Sequence, residues 1–311
     1  MNKGFFRDQE KAVDQALSDF ERLHGLLPGL SKSTWRKTLI LQIISSVRRI
    51  EFVRQLQFKA ISPARLDPSS SLFDPLKGAA LLGRKGDLDE AVWLTFVGTH
   101  FGKHLVDGWR LAANVMGSFG EGTPWTAQRF GADRGGFQTM LLKNGSKLKD
   151  ARLSGRYSNH RQYQSKHPDT IFEVFSTFYD WQFKSGGFRP LMVSLHQKYG
   201  QDPAEGFDAL YKMLNAVYGL GRLGKFDFIT MLGKLELAPV EAGSVYLVGS
   251  TGPLSGARLL FCGDRNFPIT AATLEPNVDL LDDYLHVGKQ VIEDSLCNWQ
   301  KKPEKFEYCR G

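Results

Sequence analysis

Apolar side chains return every three or four residues along most of this chain, the spacing that lines one face of an α-helix. In residues 8–23 the stripe is Val13, Ala16, Leu17, Phe20 and Leu23. A longer helix is predicted over residues 33–58, opening on Ser33 as its cap. A loop over residues 62–77, punctuated by Pro63, Pro68 and Pro75, leads to a helix at 87–100. After Thr170, helices return at 171–183, 189–199, 207–218, 223–234 and 280–299. Between the last two, the short apolar runs 245–248 and 257–261 predict strands or buried extended pieces. The expected class is mainly α with a few short strands, and no internal repeat interrupts it.

The proline- and serine-rich loop suggests a boundary. Residues 1–85 read as an N-terminal helical segment and residues 86–311 as the main helical domain, the two expected to pack as one body. Hydrophobic residues make up 42% and charged residues 23%, which excludes a disordered chain. No apolar stretch is long enough to span a membrane, and the charged, amphipathic start is unlike a secretion signal. The three cysteines, Cys262, Cys297 and Cys309, have neither disulfide-framework nor zinc-knuckle spacing, so a reducing cytoplasm is the expected compartment. No coiled-coil pattern argues for assembly, and a monomer is expected. The formal net charge of +7 and pI near 9.2 favour a polyanionic partner.

Basic residues are densest at 133–158, with Arg134, Lys143, Lys147, Lys149, Arg152 and Arg156. The most informative local pattern follows at 214–232, LNAVYGLGRLGKFDFITML, where one apolar helix runs through Gly219 and Gly221 into another. Read as a helix-hairpin-helix, it would set N–H groups at the second helix start, with Arg222 and Lys225, against a DNA phosphate. A plain interhelical turn with a glycine cap fits the same letters. A dinucleotide fingerprint over Gly219, Gly221 and Gly224 does not, because it requires a strand where a helix is predicted. Helix-hairpin-helix DNA glycosylases carry a carboxylate about twenty residues past the second hairpin glycine, and Glu241 stands there. Leu223 occupies the place of the lysine found in members with lyase activity, which points to attack by water.

Three further clusters combine groups able to hold a base or a phosphate. Residues 156–164, RYSNHRQYQ, bring an amide, an imidazole, a guanidinium and a phenol together, although an ordinary polar loop has the same composition. Thr251 and the glycines of VYLVGSTGPLSGARLLF suit an anion-binding turn with Arg258 as counter-charge, or a tight loop between buried strands. In THFGKHLVDGWR the histidines four apart lack a third metal ligand, and Lys103 and Arg110 are better read as phosphate contacts.

The fragments THFGKH with GWRLA, SNHRQYQS, GLGRLGKFDFITML, STGPLSGARLLF and QVIEDSLCNWQKKP together resemble the alpha-glutamyl/putrescinyl thymine pyrophosphorylases, their third clade in particular, from roughly residue 90 to the C-terminus. The resemblance implies a DNA-glycosylase-like helical fold and double-stranded phage DNA with modified bases as partner. It also implies a pocket drawn from Asn159, His160, Arg161, Tyr163, Asp227, Thr251, Arg258 and Asp294.

Three activities follow. One is a glycosylase that flips and excises a hypermodified pyrimidine, such as glucosylated 5-hydroxymethylcytosine, in anti-phage defence, with Asp227 or Glu241 supporting bond cleavage. Another is a transferase that joins an amine to an activated 5-hydroxymethyl pyrimidine in DNA, and the third is a catalytically silent binder of modified DNA. No cofactor motif is present, and no cofactor or metal is expected.

Overall fold

The structure is a computed structural model that describes residues 3–308; Cys309 lies outside the described residues. It is built of α-helices. The chain opens with α1 (Lys3–His24), α2 (Ser33–Arg54), α3 (Pro75–Arg84) and α4 (Leu88–Phe101). Shorter helices follow, α5 (Arg110–Met116), α6 (Ala127–Ala132), α7 (Arg134–Lys143), α8 (Gly145–Lys149) and α9 (Ala151–Ser154). It continues through α10 (Pro168–Phe183), α11 (Phe188–Tyr199), α12 (Pro203–Met213) and α13 (Arg222–Lys234). It closes with α14 (Gly252–Cys262), α15 (Ala271–Leu285) and α16 (Lys289–Trp299).

Two compact units emerge, divided elsewhere than at residue 85. One takes the chain up to Val53 and resumes at Ala242; the other is Arg54–Glu241. In the first, α1, α2, α14, α15 and α16 enclose a core that includes Leu17, Phe20, Leu39, Ile43, Leu260, Val278 and Trp299. Close approach is possible because the touching residues are small: a Cβ on Gly256 of α14 would stand 2.4 Å from the Leu296 carbonyl of α16.

The second unit surrounds α4. Ala91 to Phe101 are all buried, as expected of a helix apolar on every side. Asp87 caps its start by accepting the Glu90 N–H at 3.4 Å, and Gly102, at φ 64°, ends it. Aromatic rings fill the space around it: Phe96 stacks on Phe178 with centroids 3.7 Å apart, and the Trp93 indole donates to the Trp125 carbonyl at 3.1 Å. Such rings bury large apolar areas in fixed geometries, so α4 gives the unit a rigid axis.

Several expected elements are corrected. Among the described residues there is no strand, only an isolated bridge between His104 and Gly108. The run 257–261 lies inside α14, and 245–248 is irregular and partly buried; such short apolar runs carry no decisive period. Ser33 is the first helical residue rather than the cap, since the Lys32 carbonyl accepts the first helical bonds. Residues 280–299 form parts of two helices, parted where His286 takes φ 50° and Gly288 φ 90°. Pro75 opens α3 with Asp74 as cap and so ends the expected 62–77 loop early.

Candidate functional site

The site grows from the C-terminal end of α4. Gly102 lets the chain leave the helix, and residues 158–161 return to sit on that end: Ser158 N–H donates to the Phe101 carbonyl at 3.0 Å, and Arg161 Nε to the Thr99 carbonyl at 2.7 Å. Asn159–Arg161 form a single 3₁₀ turn whose third residue points inward.

Arg161 is 4% exposed. Its Nη2 donates to Oδ2 of Asp227 in α13 at 2.5 Å, and its Nη1 to the His160 carbonyl at 3.3 Å. Burial alone would weaken the guanidinium's hold on its proton; Asp227 and Tyr163 outweigh that and hold it above its ordinary value. The Asp227 side chain stays 34% exposed and its Oδ1 has no protein partner among the described residues. One oxygen is thus tethered and the other is left without a protein partner. Asn159, His160 and Tyr163, within two residues of Arg161 in the chain, are exposed.

Behind this pair lies His100, wholly buried against Phe96, Phe101, Tyr157 and Phe175. Neither ring nitrogen has a hydrogen-bond partner. Burial, aided by the Arg161 charge, pulls its pKa down to about 3, so it is a neutral ring in the core. His104, four residues on, accepts backbone N–H groups through Nδ1, so the two histidines perform separate structural tasks.

The turn between α12 and α13 has helices on both sides, with a 3₁₀ turn (Leu214–Ala216) after the first. Gly219, at φ 67°, accepts from Gln164 Nε2 at 3.2 Å and needs its missing side chain. Gly221 sits at the N-cap of α13 with open space where a Cβ would stand and no side-chain cap over the first N–H groups. Arg222 lies 4.8 Å from the Phe226 ring centroid.

A family match covers residues 34–311: alpha-glutamyl/putrescinyl thymine pyrophosphorylase, clade 3. The chain belongs to that family. No curated protein and no solved structure matches it. In this clade 3 pyrophosphorylase-family chain the match begins well before residue 90 and takes in α3 and all but the first residue of α2.

The remaining expected residues are distributed differently. Lys225 faces inward, its ammonium 2.6 Å from Asn215 Oδ1 and 4.1 Å from the Tyr211 ring, so it braces the turn rather than offering a surface charge. Glu241 is exposed and its carboxylate makes no hydrogen bond or ion pair with the described residues. Lys103 is exposed and equally unpaired, whereas Arg110 Nη2 donates to Asp107 Oδ1 at 2.6 Å. Thr251, Arg258 and Asp294 belong to the other unit. There Thr251 is the N-cap of α14, Arg258 donates through Nε and Nη2 to the Ile269 carbonyl, and Asp294 holds Arg49 and Asn298.

Two residues were not foreseen from the sequence. Asp107 receives both Arg110 and Arg156, and Glu90, partly buried, accepts the Ala127 N–H at 2.7 Å. Single acidic residues in a loop or a helix first turn give no spacing signal that would single them out.

Proposed function

We propose that this chain is a monofunctional DNA glycosylase, cytoplasmic and monomeric, that excises a hypermodified pyrimidine from phage DNA. The reading is carried by one observation: a buried guanidinium tethers one oxygen of Asp227 and leaves the other without a protein partner among the described residues, on a side chain still 34% exposed.

In this mechanism the modified nucleotide leaves the stack and its base is read by Asn159, His160 and Tyr163. The C1′–N1 bond breaks with its electron pair leaving on the base, and positive charge builds on the sugar. Asp227 Oδ1 stabilises that charge and takes a proton from the water whose oxygen bonds to C1′, while the departing base gains a proton from solvent. Opposite unit charges about 4 Å apart attract by about 4 kcal/mol at an effective dielectric near 20, worth roughly a thousandfold in rate. The nearest alternative nucleophile along the hairpin, Lys225, is held by Asn215, which favours water. The uncapped start of α13 at Gly221, with Gly219 shaping the turn and Arg222 beside it, would grip backbone phosphate as a helix-hairpin-helix does. Lys103 and Arg110 would add phosphate contacts. By the resemblance alone, Thr251, Arg258 and Asp294 are further proposed substrate-binding residues, described within their own unit.

The test is incubation with unmodified, hydroxymethylated and glucosylated phage DNA without added amine, followed by assay for free base and alkali-labile sites. Base release from one modified DNA alone is expected; no release from any of them overturns the glycosylase. The family's description as a pyrophosphorylase favours a second reading, transfer of the activated pyrimidine to an amine. That reaction would liberate pyrophosphate only when amine and pyrophosphorylated hydroxymethyl-pyrimidine DNA are both supplied.

A further inference from the structure

We infer that the loop 105–107 is a wedge that enters the DNA base stack beside a displaced nucleotide. The inference rests on the DNA reading above and adds to it the element that holds the gap open. Leu105 is 60% and Val106 77% exposed at the tip of this loop. Scattered exposed aliphatic residues are ordinary on protein surfaces, but these two are presented by a braced support.

The support is a miniature hairpin. His104 and Gly108 exchange backbone hydrogen bonds at 3.0 and 2.9 Å, and Gly108 takes φ 59° to close it. The buried His104 ring accepts the Val106 and Asp107 N–H groups through Nδ1 at 3.3 and 3.0 Å, which places the ring proton on Nε2. Between the exposed tip and the protein body, Asp107 turns inward with its side chain 5% exposed. Arg156 grips it through Nε at 2.7 Å and Nη2 at 3.2 Å, and Arg110 at 2.6 Å. Every turn of the loop is therefore tied down except the two apolar side chains.

Charge around the tip fits DNA. Arg110 and Arg156 share the single carboxylate of Asp107, and Lys103, two residues before Leu105, is exposed and unpaired among the described residues, so positive charge remains in excess for flanking phosphates. Position fits as well: the loop leaves the same end of α4 on which Ser158 and Arg161 are seated, so the wedge and the proposed base pocket have a common anchor. Burial of the two aliphatic side chains between bases would offset part of the cost of unstacking a base step.

The test uses a duplex with one glucosylated 5-hydroxymethylcytosine flanked by 2-aminopurine, whose fluorescence rises on unstacking, with anisotropy of a terminal dye reporting binding. The full-length protein is expected to raise both signals. Leu105→Ala with Val106→Ala should bind within about threefold yet lose most of the fluorescence rise, and Leu105→Phe should restore it. A double variant that unstacks as well as the parent overturns the wedge and leaves the DNA reading intact. Failure of the parent protein to bind the duplex, with partition onto vesicles of anionic phospholipid instead, overturns the DNA reading itself and makes the loop a membrane contact.

Discussion

A methyl group on Gly102 would stand 2.1 Å from the Ser158 hydroxyl. Gly102 also has φ 64° and ψ 160°, a region open to glycine almost alone. The turn that carries Asn159, His160 and Arg161 therefore sits on α4 only because residue 102 lacks a side chain. Gly102→Ala is expected to cost about 1–3 kcal/mol from backbone strain, with the clash in addition, measured by denaturant unfolding. Ser158→Gly in the same chain should recover the clash but not the strain. An alanine variant as stable as the parent would show that the turn is not so tightly seated.

Asp227 and Arg161 should separate by phenotype. Asp227→Asn keeps shape and is expected to lower base release by roughly 10²–10⁴-fold, the usual size of an acid–base contribution, while DNA binding stays within a few-fold. Arg161→Ala should weaken both binding and the fold, by about 3 kcal/mol, the low end for a broken buried pair because Asp227 keeps a third of its surface in water. Glu241→Gln, at an exposed carboxylate with no protein partner, is the comparison. Single-turnover base release decides: if the glutamine variant is dead and Asp227→Asn is active, the two carboxylates exchange roles.

Much of this was visible in the sequence, and the failures have physical causes. Periodicity located α1, α2, α4 and α10 to α13, because each has an apolar face longer than one turn. It failed at α14, where an apolar run of five residues suits strand and helix alike, and at α3, whose opening proline looks like a breaker unless the Asp74 cap is seen. The union of the chain's two ends in one unit depends on contacts between distant residues such as the Trp299 indole and the Trp35 carbonyl, which no local pattern encodes. At the site, Arg161 and Asp227 were chosen by resemblance, but their pairing across 66 positions was not readable. Asp107, which joins Arg110 to Arg156 in the 105–107 loop, carries no local signal, because Arg156 lies 49 positions away.

Glu90 gives the fold a stability that declines toward alkaline pH. Burial raises its pKa from 4.5 to about 7, with neighbouring Asp87 and Asp89 adding to the effect and the Ala127 N–H opposing it. Between those values the folded chain binds the extra proton, so stability falls as pH rises through the folded pKa. The expected loss from pH 5 to pH 8 is on the order of 2 kcal/mol. Glu90→Gln keeps an acceptor for Ala127 and should remove this component. Urea unfolding of both proteins across that range measures it, and parallel curves would rule the effect out.

His100 acts with the opposite sign. Its pKa falls from 6.5 to about 3, chiefly through burial, with the Arg161 charge assisting. Below pH 6.5 the unfolded chain takes up a proton that the folded chain refuses, so stability contributed above the unfolded value drains away as pH falls. At pH 5 the deficit reaches about 2 kcal/mol. His100→Leu should remove this acid sensitivity, and it also replaces two unpartnered ring nitrogens with apolar atoms in an aromatic core. The variant is therefore expected to exceed the parent in stability at pH 5 by more than it does at pH 8, read from the same unfolding curves. A pH-independent difference would mean that the ring is not held neutral by its surroundings. Loss of base release in a variant that folds well would instead assign His100 to the support of Arg161, whose side chain it neighbours electrostatically.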